Sequence, residues 1–189
     1  MRAFKIALLA LCLVSTSVMA DEYVIDKKGM HASIQFRIIH LGYSWLWGRF
    51  NDFDGEFTYD KSNPAASKIE VTINTKSIDS NHAERDKHLR GDEFLDVEQF
   101  PQSKFVSTSL VVKEDGSGEL KGDFTLRGVT RPITIYMSYI GEGDDPWGGY
   151  RVGFEGTTEL VLADYGILKD LGPASKKLDL FLSIEGVRK

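Results

Sequence analysis

The sequence predicts an all-β, single-domain protein whose strands close into an eight-stranded antiparallel barrel. Three observations carry this prediction. Apolar residues recur at every second position in at least eight segments, the spacing of half-buried strands. Clusters rich in glycine, asparagine and aspartate separate several of these segments, at Lys61-Ser62-Asn63-Pro64, Asp115-Gly116-Ser117-Gly118 and Gly141-Glu142-Gly143-Asp144-Asp145, which suits hairpins better than crossover helices. No Pro/Ser-rich linker, charge block or internal repeat divides the chain. Closure into a barrel removes the sheet edges that would otherwise pair with other chains, and a two-sheet sandwich is the competing arrangement.

The first element stands outside that fold. Arg2 and Lys5 precede an apolar run from Ile6 to Val14 and a small, polar stretch ending at Ala20, the order of a cleavable export signal. The run is too short to cross a hydrocarbon core of about 30 Å as a helix, and no later stretch is apolar for long enough. Val18 and Ala20 put small side chains where a signal peptidase reads, so residues 1–20 are expected to leave and residues 21–189 to form the domain. The one cysteine, Cys12, leaves with the leader, and bulky Leu11 before it does not resemble a lipoprotein cleavage site. Cleavage removes two of 23 basic residues and none of 28 acidic ones, taking the net charge from −5 to −7, which argues against nucleic acid as a partner. The mature chain, about 169 residues, is long enough to bury a core without disulfides.

In the domain, Ala32, Ile34, Phe36 and Ile38 share one strand face, with His31, Ser33, Gln35 and Arg37 on the other. Leu41 to Trp47 is apolar without alternation and is expected to form a short helix. Alternation returns at Phe53, Phe57 and Tyr59, at Ile69, Val71 and Ile73, and, after a gap, at Val106, Leu110 and Val112. Within the gap, Asn81 and Glu84 have the spacing of a capping box, so a second short helix is expected between Asn81 and Leu95. Further strands follow at Leu120, Phe124 and Leu126, at Ile133, Ile135, Met137 and Tyr139, at Val152, Phe154, Leu160 and Leu162, and at Leu178, Leu180, Leu182 and Ile184.

An eight-stranded barrel either fills itself with side chains or holds one small apolar ligand, and periodicity leaves both open. With 11 Phe, 7 Tyr and 3 Trp, many on inward faces, the lining suits an apolar cargo or a packed aromatic core. The candidate lining is Phe36, Ile38, Phe53, Phe57, Ile73, Phe124, Ile135, Met137 and Phe154, joined by Trp45 from the aromatic segment that either lids the mouth or plugs the closed end. The densest polar cluster runs from Asn81 to Arg90. There, Arg85, His88 and Arg90, with His40, are candidates to meet the polar head of a ligand, since guanidinium pairs well with phosphate. The alternatives are a solvated, salt-bridged helix, or an acid–base pair of His88 with Glu84 or Asp86 in an enzyme acting on lipid head groups. Arg127 and Arg131, flanking Gly128-Val129-Thr130, are a hairpin with charged shoulders or a second head-group site. No serine-nucleophile motif appears, and no histidines have metal-ligand spacing, so no catalytic residue, metal or cofactor is expected. Trp147 belongs to a surface turn, packed there or kept for a protein partner.

Long motifs along nearly the whole mature chain resemble the YceI-like family of exported proteins. They are HLGYSWLWG from His40, FNDFDGEF from Phe50, NHAERDKHLRGDEFL from Asn81, FPQSKF from Phe100, LRGVTRPI from Leu126, GDDPWGG from Gly143 and DLGPAS from Asp170. The resemblance implies an extended lipocalin-like barrel with a long hydrophobic cavity, short helices near its mouth, a periplasmic location, and a homodimer. It also implies a non-enzymatic role in binding a polyisoprenoid lipid or isoprenoid quinone.

Overall fold

The computed structural model describes residues 20–189, so the expected leader lies outside the described residues except for Ala20. Eleven strand segments form one antiparallel sheet: β1 (Asp21–Ile25), β2 (Ser33–His40), β3 (Ser44–Phe50), β4 (Phe53–Tyr59), β5 (Lys68–Asn74), β6 (Ile78–Asp79), β7 (Gln102–Val112), β8 (Ser117–Leu126), β9 (Val129–Asp144), β10 (Tyr150–Val161) and β11 (Lys177–Arg188). Three pairs are halves of long, interrupted strands. β1 and β2 both lie along β11, with Tyr23 opposite Arg188 and Ser33 opposite Ser183. β4 and β3 pair with β1 and β2 in turn, and β5 and β6 with β4 and β3. Eight continuous strands therefore remain, each beside its successor in the chain. The β1–β11 pairing returns the last to the first. One sheet closed on itself replaces the sandwich alternative, and an up-and-down order needs only short connections.

The interruptions have local causes. Between β1 and β2 the chain makes a turn in which the Gly29 amide donates to Asp26 Oδ1 at 2.7 Å. Between β5 and β6 a 3₁₀ turn, Thr75–Ser77, is held by Asn74, whose side-chain oxygen accepts from the Lys76 amide at 3.1 Å.

All long connections lie at the end of the barrel where β2, β6, β8 and β10 finish, here called the upper end. It carries α1 (Ala83–Arg90), the chain from Gly91 to Pro101, and the segment from Leu162 to Lys176. The helix expected in the second gap is thus present, with a different cap. His82 is the N-cap, its Nδ1 accepting from the Arg85 amide at 3.2 Å, while Asn81 takes a left-handed backbone at φ 61°. The helix expected at Leu41 to Trp47 is instead a tight turn and β3. Leu41 and Gly42 both have positive φ, 51° and 84°, which reverses the chain as in a hairpin. The alternation of β3 was masked because its outer face is also aromatic. Val106 is another correction, since it faces outward. A bulge between Ser107 and Ser109 shifts the phase of β7, so Ser103 and Phe105 point inward before it and Leu110 after it.

At the lower end, inward rings pack against one another. Phe154 meets Tyr59, Tyr139 and Phe57 edge-on, with centroids 5.1, 5.9 and 6.1 Å away, and Tyr23 stacks on Phe57 at 5.1 Å. These rings, from β1, β4, β9 and β10, occupy the lower end, so of the two alternatives for the Tyr43 to Trp47 segment, which starts at the upper end, a plug of the closed end is not what forms.

Candidate functional site

Alternation in a closed sheet sends one side chain in two into a shared interior, and in this barrel those side chains leave space between them. A lower chamber of about 120 Å³ is walled by, among others, Phe57, Ile69, Ile133, Ile135, Met137 and Phe154. An upper chamber of about 300 Å³ is walled by Phe36, Ile38, Leu46, Leu126, Leu160 and Leu178, with α1 and the loops above it. Ile34, Ile73, Phe124 and Leu180 line both, so the two chambers adjoin across these four residues within one barrel interior. The walls are almost wholly apolar. A polar or ionic ligand would lose its hydration there without replacement, whereas a hydrocarbon would not.

Polar groups collect at the upper end. His40, Leu41 and His88 line the upper chamber and are exposed, which marks the mouth between the β2–β3 turn and α1. Arg85 also lines it. Its Nε donates to Ser80 Oγ at 2.7 Å and its guanidinium also reaches the Ser80 carbonyl. The Ser80 hydroxyl donates in turn to Asp86 Oδ1 at 2.5 Å. His88 Nε2 lies 2.8 Å from Glu93 Oε2, and Glu93 pairs on its other side with Lys169 from the Leu162 to Lys176 segment. Lys169 first, and His88 second, hold the Glu93 carboxyl below the usual carboxylate range. Arg127 adds a second clasp, its guanidinium donating to the Asp92 carbonyl at 2.6 Å and to the Gly166 carbonyl. The segments over the mouth are thus fastened to each other and to the β8–β9 turn.

Of the residues expected to line the interior, Phe36, Ile38, Phe57, Ile73, Phe124, Ile135, Met137 and Phe154 do so. Phe53 is buried in the core without reaching either chamber. Trp45 is a correction: it stands on the outer wall, 47 % exposed, under the Arg37 guanidinium at 4.0 Å. Strand parity puts Leu46, its neighbour, inside. Among the expected head-group residues, His40, Arg85 and His88 come together at the mouth. Arg90 does not, because Nε and Nη2 are spent on the carbonyls of Lys76 and Ile78 at 2.8 and 2.6 Å. Arg127 and Arg131 hold loop carbonyls, the latter that of Asp164 at 3.3 Å. His88 takes Glu93 as its carboxylate partner, while Glu84 is exposed and Asp86 is held by Ser80. Leu162, the end of the alternation that starts at Val152, does cover the upper chamber; sequence reasoning missed Ile167 and Leu171 beside it, and Phe94 and Leu95 after α1. Their only signal was apolar character without a period.

A second charged cluster lies on the β1–β2 turn. Asp26, His31 and Glu185 offer ligand atoms within 4.8 Å of one another, as a metal site would. Arg151 Nη1, however, is 2.6 Å from Asp26 Oδ2 and 2.5 Å from Glu185 Oε1, while its Nε holds Asp145 at 2.7 Å. A guanidinium already fills the cation's place, so these residues do not fit a metal ion.

A family model described as a YceI-like domain matches residues 23–185. A UPF0312 protein of Pseudomonas aeruginosa, strain LESB58, is 60% identical over 170 residues, which cover 90% of this chain and 88% of the relative. Among solved structures, Burkholderia cenocepacia BcnA superposes with a TM-score of 0.75 at 15% identity, covering 85% of this chain and 98% of that one. A polyisoprenoid binding domain from Saccharophagus degradans, implicated in plant cell wall breakdown, gives a TM-score of 0.65 at 13% identity, covering 90% and 99%. At such identities the two structures establish the shared fold.

Proposed function

This chain belongs to the YceI-like family, and from that premise we propose that it is an exported, non-enzymatic carrier of a long apolar lipid, a polyisoprenoid or isoprenoid quinone. The observation that carries the proposal is the apolar interior of the barrel, two adjoining chambers that a bound tail would join into one tunnel, the upper one open beside His40, Leu41 and His88. The tail lies in the tunnel and the polar head stays at the mouth near His40, Arg85 and His88. Each buried CH₂ is worth about 0.8 kcal/mol, so two isoprene units contribute on the order of 8 kcal/mol, comparable to the association cost of about 4–15 kcal/mol. Longer tails bind without special polar contacts. That the Saccharophagus degradans domain is a polyisoprenoid binding domain supports the same ligand class.

The leader-like residues 1–20 and the family resemblance support export to the periplasm. In that aqueous compartment an isoprenoid tail needs a shield. Extraction of the purified protein with organic solvent, followed by mass spectrometry, is expected to release a prenyl-chain lipid. Repeated recovery of none, with no uptake of added polyprenyl lipid, overturns the proposal.

A further inference from the structure

The outer face of β3 carries a stripe of aromatic rings that starts at the cavity mouth. Tyr43, in the turn, is 86 % exposed, and Trp45 and Trp47, alternate residues of the strand, are 47 % exposed each. The Arg37 guanidinium lies over both indoles, 4.0 and 5.7 Å from their centroids. Leu41 joins this stripe to the interior, for its side chain lines the upper chamber and is yet 58 % exposed. Its backbone sits at φ 51°, a conformation unfavourable to leucine. Across the mouth, Leu168 is 77 % exposed on the Leu162 to Lys176 segment, which Ser175 ties to the Ile39 carbonyl at 2.5 Å. Apolar side chains are thus exposed in succession from the upper chamber, at Leu41, over the rim, at Tyr43, to the outer wall, at Trp45 and Trp47.

We propose that this rim docks the open end of the barrel onto the surface of a lipid bilayer. The inference rests on the carrier reading: a tail leaving through water would expose its whole apolar length, whereas at a docked mouth it passes from bilayer to tunnel. Tyrosine and tryptophan suit that contact because each ring has an apolar body and a polar edge, the form favoured at the membrane interface. A permanently bound second copy would cover the exit the cargo needs, so the continuity of rim and tunnel favours lipid. The upper end mixes Lys87 and Lys176 with Glu84, Asp92, Asp164 and Asp170, all exposed, and the whole chain is acidic. Attachment thus comes from apolar burial, with little help from anionic lipid.

Flotation with phosphatidylcholine vesicles tests this. The purified protein is expected to float with the vesicles equally at about 50 and about 500 mM salt, where an electrostatic attachment would weaken. Leu41→Asn combined with Tyr43→Ser, two exposed changes of which Asn tolerates the left-handed backbone, is expected to cut vesicle affinity at least about tenfold. Trp147→Ser, in the exposed turn at the opposite end, leaves it unchanged. No recovery of the unaltered protein overturns the proposal, as does equal loss in the Trp147 variant. A dimer that the double substitution splits, with no vesicle recovery, overturns it too and assigns the rim to contact between copies. Lipid content measured on the same samples separates the two ideas: cargo without docking removes only the docking surface, and docking without cargo removes only the carrier.

Discussion

At the residue scale, the charges that matter most for stability lie away from the tunnel. Burial raises the pKa of Asp26, but hydrogen bonds from Arg151, the Gly29 amide and His31 outweigh it and hold the carboxyl at about 2, below its ordinary 3.8. A depressed carboxylate stabilises the fold above its unfolded-state pKa and loses that contribution as pH falls through the folded value. Acid titration of unfolding should therefore show stability declining from about pH 4 toward pH 2 as Asp26 protonates. Arg151→Leu leaves Asp26 and Asp145 without their cation and is expected to cost roughly 3 kcal/mol at neutral pH, and, because the Asp26 pKa then moves back toward its unfolded value, to shrink the decline between about pH 4 and pH 2. Urea unfolding at about pH 7, 4 and 2.5 measures both. None of this network was legible in the sequence, because Asp26, Asp145, Arg151 and Glu185 meet only through the β1–β11–β10 pairing. Trp45 makes a related point: aromatic character suggests a place in the lining, yet the strand's two-residue period assigns the inside to Leu46.

At the scale of elements, the upper-end segments decide how firmly the mouth is held. Arg127 bridges the carbonyls of Asp92 and Gly166, two loops that share no strand pairing. Each charge-assisted hydrogen bond of this kind contributes about 1.5–3 kcal/mol. Arg127→Ala is expected to speed amide exchange at Gly91–Phe94 and Gly166–Ile167 and to release bound lipid about tenfold faster, with only a small change in global unfolding. Hydrogen exchange followed by mass spectrometry, alongside lipid transfer to acceptor vesicles, reads both effects. The strands were legible from alternation and α1 from its polar, capped sequence. β3 was not, because a strand with aromatic residues on both faces carries no alternation to detect.

For the molecule as a whole, in the carrier reading Ile34, Ile73, Phe124 and Leu180, where the two chambers adjoin, are the waist that a tail must pass to reach the lower chamber. Leu180→Trp fills that waist from β11 and is expected to confine cargo to the upper chamber, so the longest prenyl chain recovered by extraction shortens. The protein should still fold, at a cost of about 1–3 kcal/mol for overpacking. Undiminished chain length in a folded variant would show that the lower chamber takes no part in binding. By itself the sequence determined the all-β class, the single domain and most inward positions, because burial on one face of a strand imprints a local period of two. It also held the motifs that mark the family. Only the tertiary structure decided that the interior leaves two apolar chambers and is not a filled core, which arginine lines the mouth, and which are consumed by carbonyls. Those outcomes depend on how side chains from strands distant in sequence share one enclosed volume and a finite set of hydrogen-bond partners, and no local pattern encodes either.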